Sequence, residues 1–265
     1  MGLSSASYED LQWRLGHLRR FFGSTSIDDI TVIDVDSYRI VKIQEGTLKA
    51  SSINKTLTTL AAILEMAVEY ELIKRNPAVG RRRRLATTSP RRSWLDRAEH
   101  IRALLDAAQE LSHKPRVGVG QHRALLATFV FAGLRLGEAR ALRWDDIDLV
   151  AGTLHVREAK TDAGVRTVNL LPVFRNELRA YKATVDNATN GLLFATRNGR
   201  PLGASNIRER ILTPAAQRAS TMLEIRRRPP LPAHLTPHSL RRTFASLLFA
   251  LGECYSRSAS PRHTS

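Results

Sequence analysis

Apolar positions in the first third of the chain recur every three to four residues. In SYEDLQWRLGHLRRFFG, Tyr8, Leu11, Leu15, Leu18 and Phe22 fall on one helical face. Ser7 suits an N-cap, with Glu9 and Asp10 in the first turn. SSINKTLTTLAAILEMAVEYELI repeats the pattern through Ile53, Leu57, Leu60, Leu64 and Val68. The NPAV run at 76–79 is expected to end that helix, because the residue before a proline avoids the helical region. DVDSYRIVKIQE between them reads as a shorter helix, so residues 1–79 form a small all-helical unit.

The period is then lost and later changes. Residues 80–93, GRRRRLATTSPRRS, hold six arginines among Gly, Pro, Ser and Thr and predict an exposed basic linker. Two readings fit it: a solvated hinge, or a strap of Arg81, Arg82, Arg83, Arg84, Arg91 and Arg92 along a phosphate backbone. Residues 94–252 predict a mixed unit. LDRAEHIRALLDAAQEL is amphipathic through Ile101, Leu104, Leu105, Ala108 and Leu111. QHRALLATFVFAG is apolar nearly all round and reads as a buried helix stopped by Gly133. RLGEARALRW starts another helix. GTLHVREAKT and VRTVNLLP then alternate with period two around a DAG turn, which predicts a hairpin. PVFRNELRAYKATV and GASNIRERILTPAAQRA return to helix, with a short GLLFAT strand between them. The fold class is therefore mainly α with a small β-sheet or hairpin (α+β), and no repeat of solenoid period is present.

The chain of 265 residues is 43% hydrophobic, enough to fill real cores. Its apolar runs are far shorter than the ~20 residues that cross a bilayer. No signal peptide is readable at MGLSSASYEDLQWRL, and Ala6 stands where a myristoylation signal needs Ser or Thr. A single cysteine, Cys254, leaves no internal disulfide and no cysteine-based metal site. These features predict a soluble, cytoplasmic protein with no membrane partner. Charge changes the picture most. Lys and Arg total 41 against 25 Asp and Glu, giving +16 and a pI near 11. A field of that sign attracts polyanions, and arginine dominates, which suits planar contacts to phosphate. Ribosome association, a nuclear-type basic tract and an arginine-rich genome are the alternatives that charge alone leaves open.

Three segments carry candidate chemistry. In TFVFAGLRLGEARALRWDDIDL, Arg135 follows a glycine break and starts a helix, and Glu138 lies three residues on, within reach of the same face. An ordinary helix-start ion pair fits the same spacing. In EAKTDAGVRTV, Lys160 sits just before the hairpin turn, either as a mobile donor or as an exposed turn lysine. In LTPHSLRRTFASLLFALG, Thr236 suits an N-cap and Pro237 the first helical position. His238 and Arg241 then share one face near the positive helix end, either a phosphate cradle or a solvated helix start. Leu240, Phe244, Leu247, Leu248 and Leu251 make the expected buried side.

Together, AGLRLGEARALRW, AKT and PHSLRRTFAS resemble the tyrosine recombinase (phage integrase) family of site-specific recombinases, whose pattern is GLR-x-x-E, a hairpin lysine and H-x-L-R-H-T-x-A-S. Arg242 stands where a histidine is common. The resemblance implies a helical core-binding (SAM-like) DNA-binding domain at 1–79, the basic linker at 80–93 and a catalytic domain at 94–252. It implies double-stranded DNA as partner and metal-free breaking and rejoining of a phosphodiester through a 3′-phosphotyrosyl link, with no cofactor. Arg135 and Arg241 would bind the non-bridging oxygens, His238 would assist proton transfer, Lys160 would protonate the departing 5′ oxygen and Glu138 would support them.

The family's tyrosine is expected roughly thirty residues past Arg241. Only 24 residues follow here, and ECYSRSASPRHTS has no apolar period. Tyr255 and His263 read as accidental, and 253–265 as an aberrant polar tail left by truncation or frameshift. On that expectation the catalytic domain is incomplete, no nucleophile is assigned, and the chain is cleavage-deficient alone. Assembly with other recombinase subunits on DNA would be weakened by loss of the C-terminal docking helix. Exposed Leu247, Leu248 and Leu251 would lower solubility. A non-enzymatic DNA-binding protein derived from an integrase is the alternative.

Overall fold

Ten helices and three short strands are ordered along the chain among the described residues, which are 5–80, 83–87, 93–112, 120–157, 165–185 and 191–251 of a computed structural model. The chain divides into two units, Met1–Pro90 and Arg91–Ser265.

In the first unit, α1 (Ser5–Phe22), α2 (Val32–Gln44) and α3 (Ala50–Glu69) enclose a core of Leu18, Phe22, Val35, Tyr38, Ile53, Leu57, Leu60 and Leu64. The Tyr38 hydroxyl donates to Thr56 Oγ1 at 2.9 Å, so the ring is buried with its polar end satisfied. Thr31 caps α2 through a reciprocal box with Asp34. Ser7 does not cap α1: the helix already includes Ser5, and Ser7 lies in its first turns. The proline does not end α3 either. That helix stops at Glu69, and Glu71 takes a positive φ of 57°. The Asn76–Pro77 segment instead folds back, with Asn76 Nδ2 donating to the Ala61 carbonyl at 2.8 Å. Ala67, not Val68, completes the buried face.

The predicted linker is anchored where it is described. Asn54 Nδ2 donates to the Leu85 carbonyl at 2.9 Å, and Leu85 N–H donates to Asn54 Oδ1 at 2.8 Å. Leu85 packs on the first core. On the other side, Leu95 is buried and its N–H donates to Thr243 Oγ1 at 2.8 Å. Each of these described stretches is thus tied to its own unit by backbone groups paired with side chains.

The second unit is built on α4 (Ala98–Leu111) and α5 (Gln121–Phe131), and nearly every α5 residue is buried, as the apolar run from Ala124 to Phe131 requires. Arg123, half-buried, ties the helices together: its guanidinium donates to both carboxylate oxygens of Glu177 at 2.7 and 2.8 Å and to Asp106 at 2.8 Å. After α6 (Leu136–Ala141), β1 (Ile147–Asp148), β2 (Thr153–Val156) and β3 (Arg166–Asn169) form an antiparallel sheet in that order. Leu154 pairs with Val168, and Val156 with Arg166. The hairpin was expected; β1 is too short to show a period.

α7 (Pro172–Lys182) follows the sheet. The expected GLLFAT strand is not a sheet member: the segment makes only isolated bridges, Arg143 with Leu192 and Ala195 with Pro201. The next predicted helix is α8 (Ala204–Asn206), a π-helical stretch Ile207–Leu212, and α9 (Thr213–Ile225). Pro214 explains the wide turn: it offers no N–H and its ring crowds the carbonyl one turn back, which a π segment accommodates. α10 (Pro237–Ala250) packs on α5 with Leu240 buried and Leu247 against the core. Leu251 departs from the expected buried face and is exposed, as is Phe249.

Candidate functional site

The GLR segment meets α10 at Gly133. α5 ends at Phe131, and Gly133 reverses the chain with a φ of 58°. A side chain there would strike Phe244: an added Cβ would lie 2.2 Å from the ring. Freed of that clash, the Gly133 carbonyl accepts a hydrogen bond from Arg241 Nη1 at 2.6 Å. Two segments more than a hundred residues apart in sequence are thus locked together.

Arg135 then caps α6, with its φ and ψ extended at −71° and 154°. Its N–H donates to Glu138 Oε2 at 2.8 Å and its Nη1 to Oε1 at 2.7 Å. Glu138 is buried, with 4% of its side chain exposed, whereas 55% of the Arg135 side chain is open to solvent. Arg166 of β3 adds a fork, Nη1 to Oε1 at 3.2 Å and Nη2 to Oε2 at 3.0 Å. Arg241 Nη1 stands 3.9 Å from Oε2. Each carboxylate oxygen therefore accepts two hydrogen bonds, the full capacity of the group. Burial pushes the Glu138 carboxyl up, but the Arg166 fork and the Arg135 N–H and guanidinium outweigh it and hold the group at about 2 against an ordinary 4.5. One carboxylate among three guanidiniums leaves a local excess of two positive charges, since three minus one is two, with Arg135 the most exposed of them.

α10 opens as its sequence predicts. Thr236 Oγ1 accepts from the Ser239 N–H at 3.1 Å, the Thr236 N–H donates to Ser239 Oγ at 3.2 Å, and Pro237 takes the first position. His238 lies exposed in the first turn, one turn before the half-buried Arg241. Removing the cap in Thr236→Ala should lower stability by about 1 kcal/mol in urea unfolding, while Thr236→Ser should retain most of it.

The structure thus brings Arg135, Glu138 and Arg241 together and places His238 on the helix that carries Arg241. Lys160, Arg81, Arg82, Arg91, Arg92, Tyr255 and His263 lie outside the described residues. Arg83 donates to the Val79 carbonyl, and the exposed Arg84 stands 3.5 Å from Thr58 Oγ1. Sequence reasoning passed over Arg166. Its signal was parity: with period two it shares the inward side of β3 with Val168, and an inward arginine requires a buried anion.

Residues 95–252, more than half of the chain, match the phage integrase family, and the chain belongs to that family. Among curated relatives, tyrosine recombinase XerC of Alcanivorax borkumensis is 28% identical over 253 residues, covering 93% of this chain and 75% of the relative. The ICEBs1 integrase of Bacillus subtilis is 28% identical over 167 residues, covering 62% of this chain and 42% of the relative. The Tn1549 transposon integrase, solved in complex with circular intermediate DNA, superposes with a TM-score of 0.76 at 19% identity, over 96% of this chain and 84% of that one. A lambda integrase dimer bound to a COC′ core site gives 0.68 at 21% identity, over 94% and 82%. These two share the fold.

Proposed function

We propose that the protein is a site-specific DNA recombinase whose second unit holds one backbone phosphate of duplex DNA between Arg135 and Arg241. The observation that carries this reading is the pair of arginines, from motifs far apart in sequence, converging on the single buried carboxylate of Glu138. Anchored guanidiniums with fixed donors stabilise the extra charge that a phosphate gains in its pentavalent transition state. On this reading His238, exposed in the first turn of the helix that carries Arg241, donates to the same phosphate, and Lys160 protonates the leaving oxygen. In the reaction a tyrosine oxygen bonds to phosphorus, the bond from phosphorus to the 5′ oxygen breaks, and that oxygen takes up a proton. No co-reactant is needed, because the rejoining step reverses the exchange.

The relatives are recombinases and integrases by name, and the two superposed integrases were solved bound to DNA. The charge of +16 supports double-stranded DNA as partner. Core-binding by the helical unit, phosphate contacts by the arginines of 81–92, assembly of several copies on DNA, and work at the nucleoid in the cytoplasm belong to the same reading.

The test is a nicked duplex taken from the DNA flanking the coding sequence, incubated with the full chain. Binding should weaken steeply with salt, and Arg135→Ala with Arg241→Ala should weaken it further. A covalent adduct that survives detergent and disappears in Arg241→Ala assigns the strand-breaking step to this chain. Its loss in Tyr255→Phe would identify that hydroxyl as the nucleophile. Binding that is indifferent to both arginines would overturn the proposal.

A further inference from the structure

Arg166 has no place in the phosphate chemistry described above, yet among the described residues it alone engages both Glu138 oxygens with its guanidinium. Its side chain is 20% exposed, against 55% for Arg135 and 28% for Arg241. It is therefore the least open of the three to an incoming polyanion. It also stands at the first residue of β3, paired with Val156 across the hairpin. We infer that Arg166 is a positioning residue: its fork fixes the Glu138 carboxylate so that this anion orients Arg135 and Arg241 without neutralising them, and it ties the β2–β3 hairpin to the arginine face.

The charge arithmetic gives the reason. The charged groups that face Glu138 among the described residues are Arg135 from the start of α6, Arg166 from β3 and Arg241 from α10. With Arg166 present, the carboxylate's charge is shared with a residue set back from the pair proposed to bind phosphate. Without it, the same buried charge draws entirely on that pair, Arg135 and Arg241. Arg241 has a second anchor, the Gly133 carbonyl at 2.6 Å, so the geometry leaves it held at 3.9 Å from the carboxylate and not closed upon it. Loss of the Arg166 fork removes the force that keeps Glu138 turned toward the strand.

The inference rests on the proposed reading that Arg135 and Arg241 hold a DNA phosphate, and two measurements on the full chain separate the two claims. The first follows the Glu138 side-chain carbon by NMR, assigned with Glu138→Gln. The unaltered chain should show no titration between pH 7 and 4, since the group sits at about 2. Arg166→Met should bring a titration into that range, because burial then works against fewer donors. A flat signal in Arg166→Met overturns the inference whatever the protein does with DNA.

The second measures affinity for a duplex oligonucleotide across the same pH range. Arg166→Met should bind about tenfold more weakly at pH 7, the change that loss of one charge-assisted hydrogen bond produces. The deficit should shrink as Glu138 takes up its proton and releases the two arginines. It should vanish in the Glu138→Gln background. Arg166→Lys, which keeps the charge on the strand but not the fork, should show a smaller deficit with the same pH signature, and it decides the matter if the methionine form does not fold. A deficit equal at every pH and undiminished by Glu138→Gln overturns the inference, since Arg166 would then act on DNA by itself. Absence of duplex binding by the unaltered chain overturns the functional reading, and the carboxyl titration still decides the coupling of Arg166 to Glu138.

Discussion

Replacing Glu138 with alanine should destabilise the Arg91–Ser265 unit by about 3–5 kcal/mol, the cost typical of removing one partner from a buried ion cluster. The substitution leaves Arg135, Arg166 and Arg241 facing one another with no anion, and it strands the half-buried Arg166 on the inward side of β3. Glutamine at the same position keeps acceptor capacity and shape and should cost less. The pH dependence carries a definite sign. The folded carboxyl sits at about 2, below its ordinary 4.5, so its contribution is fully present above 4.5 and is lost as pH falls toward 2. Across that window the unaltered protein should lose roughly 3 kcal/mol that Glu138→Gln does not lose. Denaturant titrations followed by tryptophan fluorescence at a series of pH values, with Trp13→Phe to silence the first unit, read both effects. Equal acid sensitivity in the two proteins would show that the carboxylate does not carry this stabilisation.

Much of this cluster was legible before any coordinates, and the limits have physical causes. The helices of the first unit, the buried α5, the hairpin and the Thr236–Pro237 start of α10 are all written in apolar period or cap chemistry, which are local properties. Arg135, Glu138 and Arg241 were visible as residue types at telling spacings. Their convergence was implied by the family resemblance alone and not by any local pattern, because the Arg241 contact to Gly133 depends on how α10 packs on α5. Arg166 was missed for a related reason: a strand arginine looks like any solvated charge until its parity is set against Val168. Likewise the end of α3 was misplaced. Pro77 is a strong local signal, but the backbone left the helix at Glu69 and the proline segment was recruited to pack back on Ala61 and Glu65. The π-helical turn before Pro214 is the reverse case, in which a proline that should break a helix is absorbed by it.

Gly133→Ala should cost about 3 kcal/mol and should weaken DNA binding along with stability. Two terms add. Alanine at a φ of 58° carries roughly 1 kcal/mol of backbone strain. Its Cβ also falls 2.2 Å from the Phe244 ring, and overpacking of that kind costs roughly 1–3 kcal/mol. Phe244 is three residues beyond Arg241 on the same helix, so a ring pushed outward moves the helix face that presents the guanidinium. The hydrogen bond to the Gly133 carbonyl would lengthen, and the arginine geometry proposed to bind phosphate would go with it. A double-mutant cycle separates the two terms. Phe244→Ala removes the obstacle, so the combination of both substitutions should be less destabilising than the sum of the singles by more than about 1 kcal/mol. The backbone term would remain in the double variant. Additive losses would mean that the ring yields freely, and that glycine is required at this corner for its conformation alone.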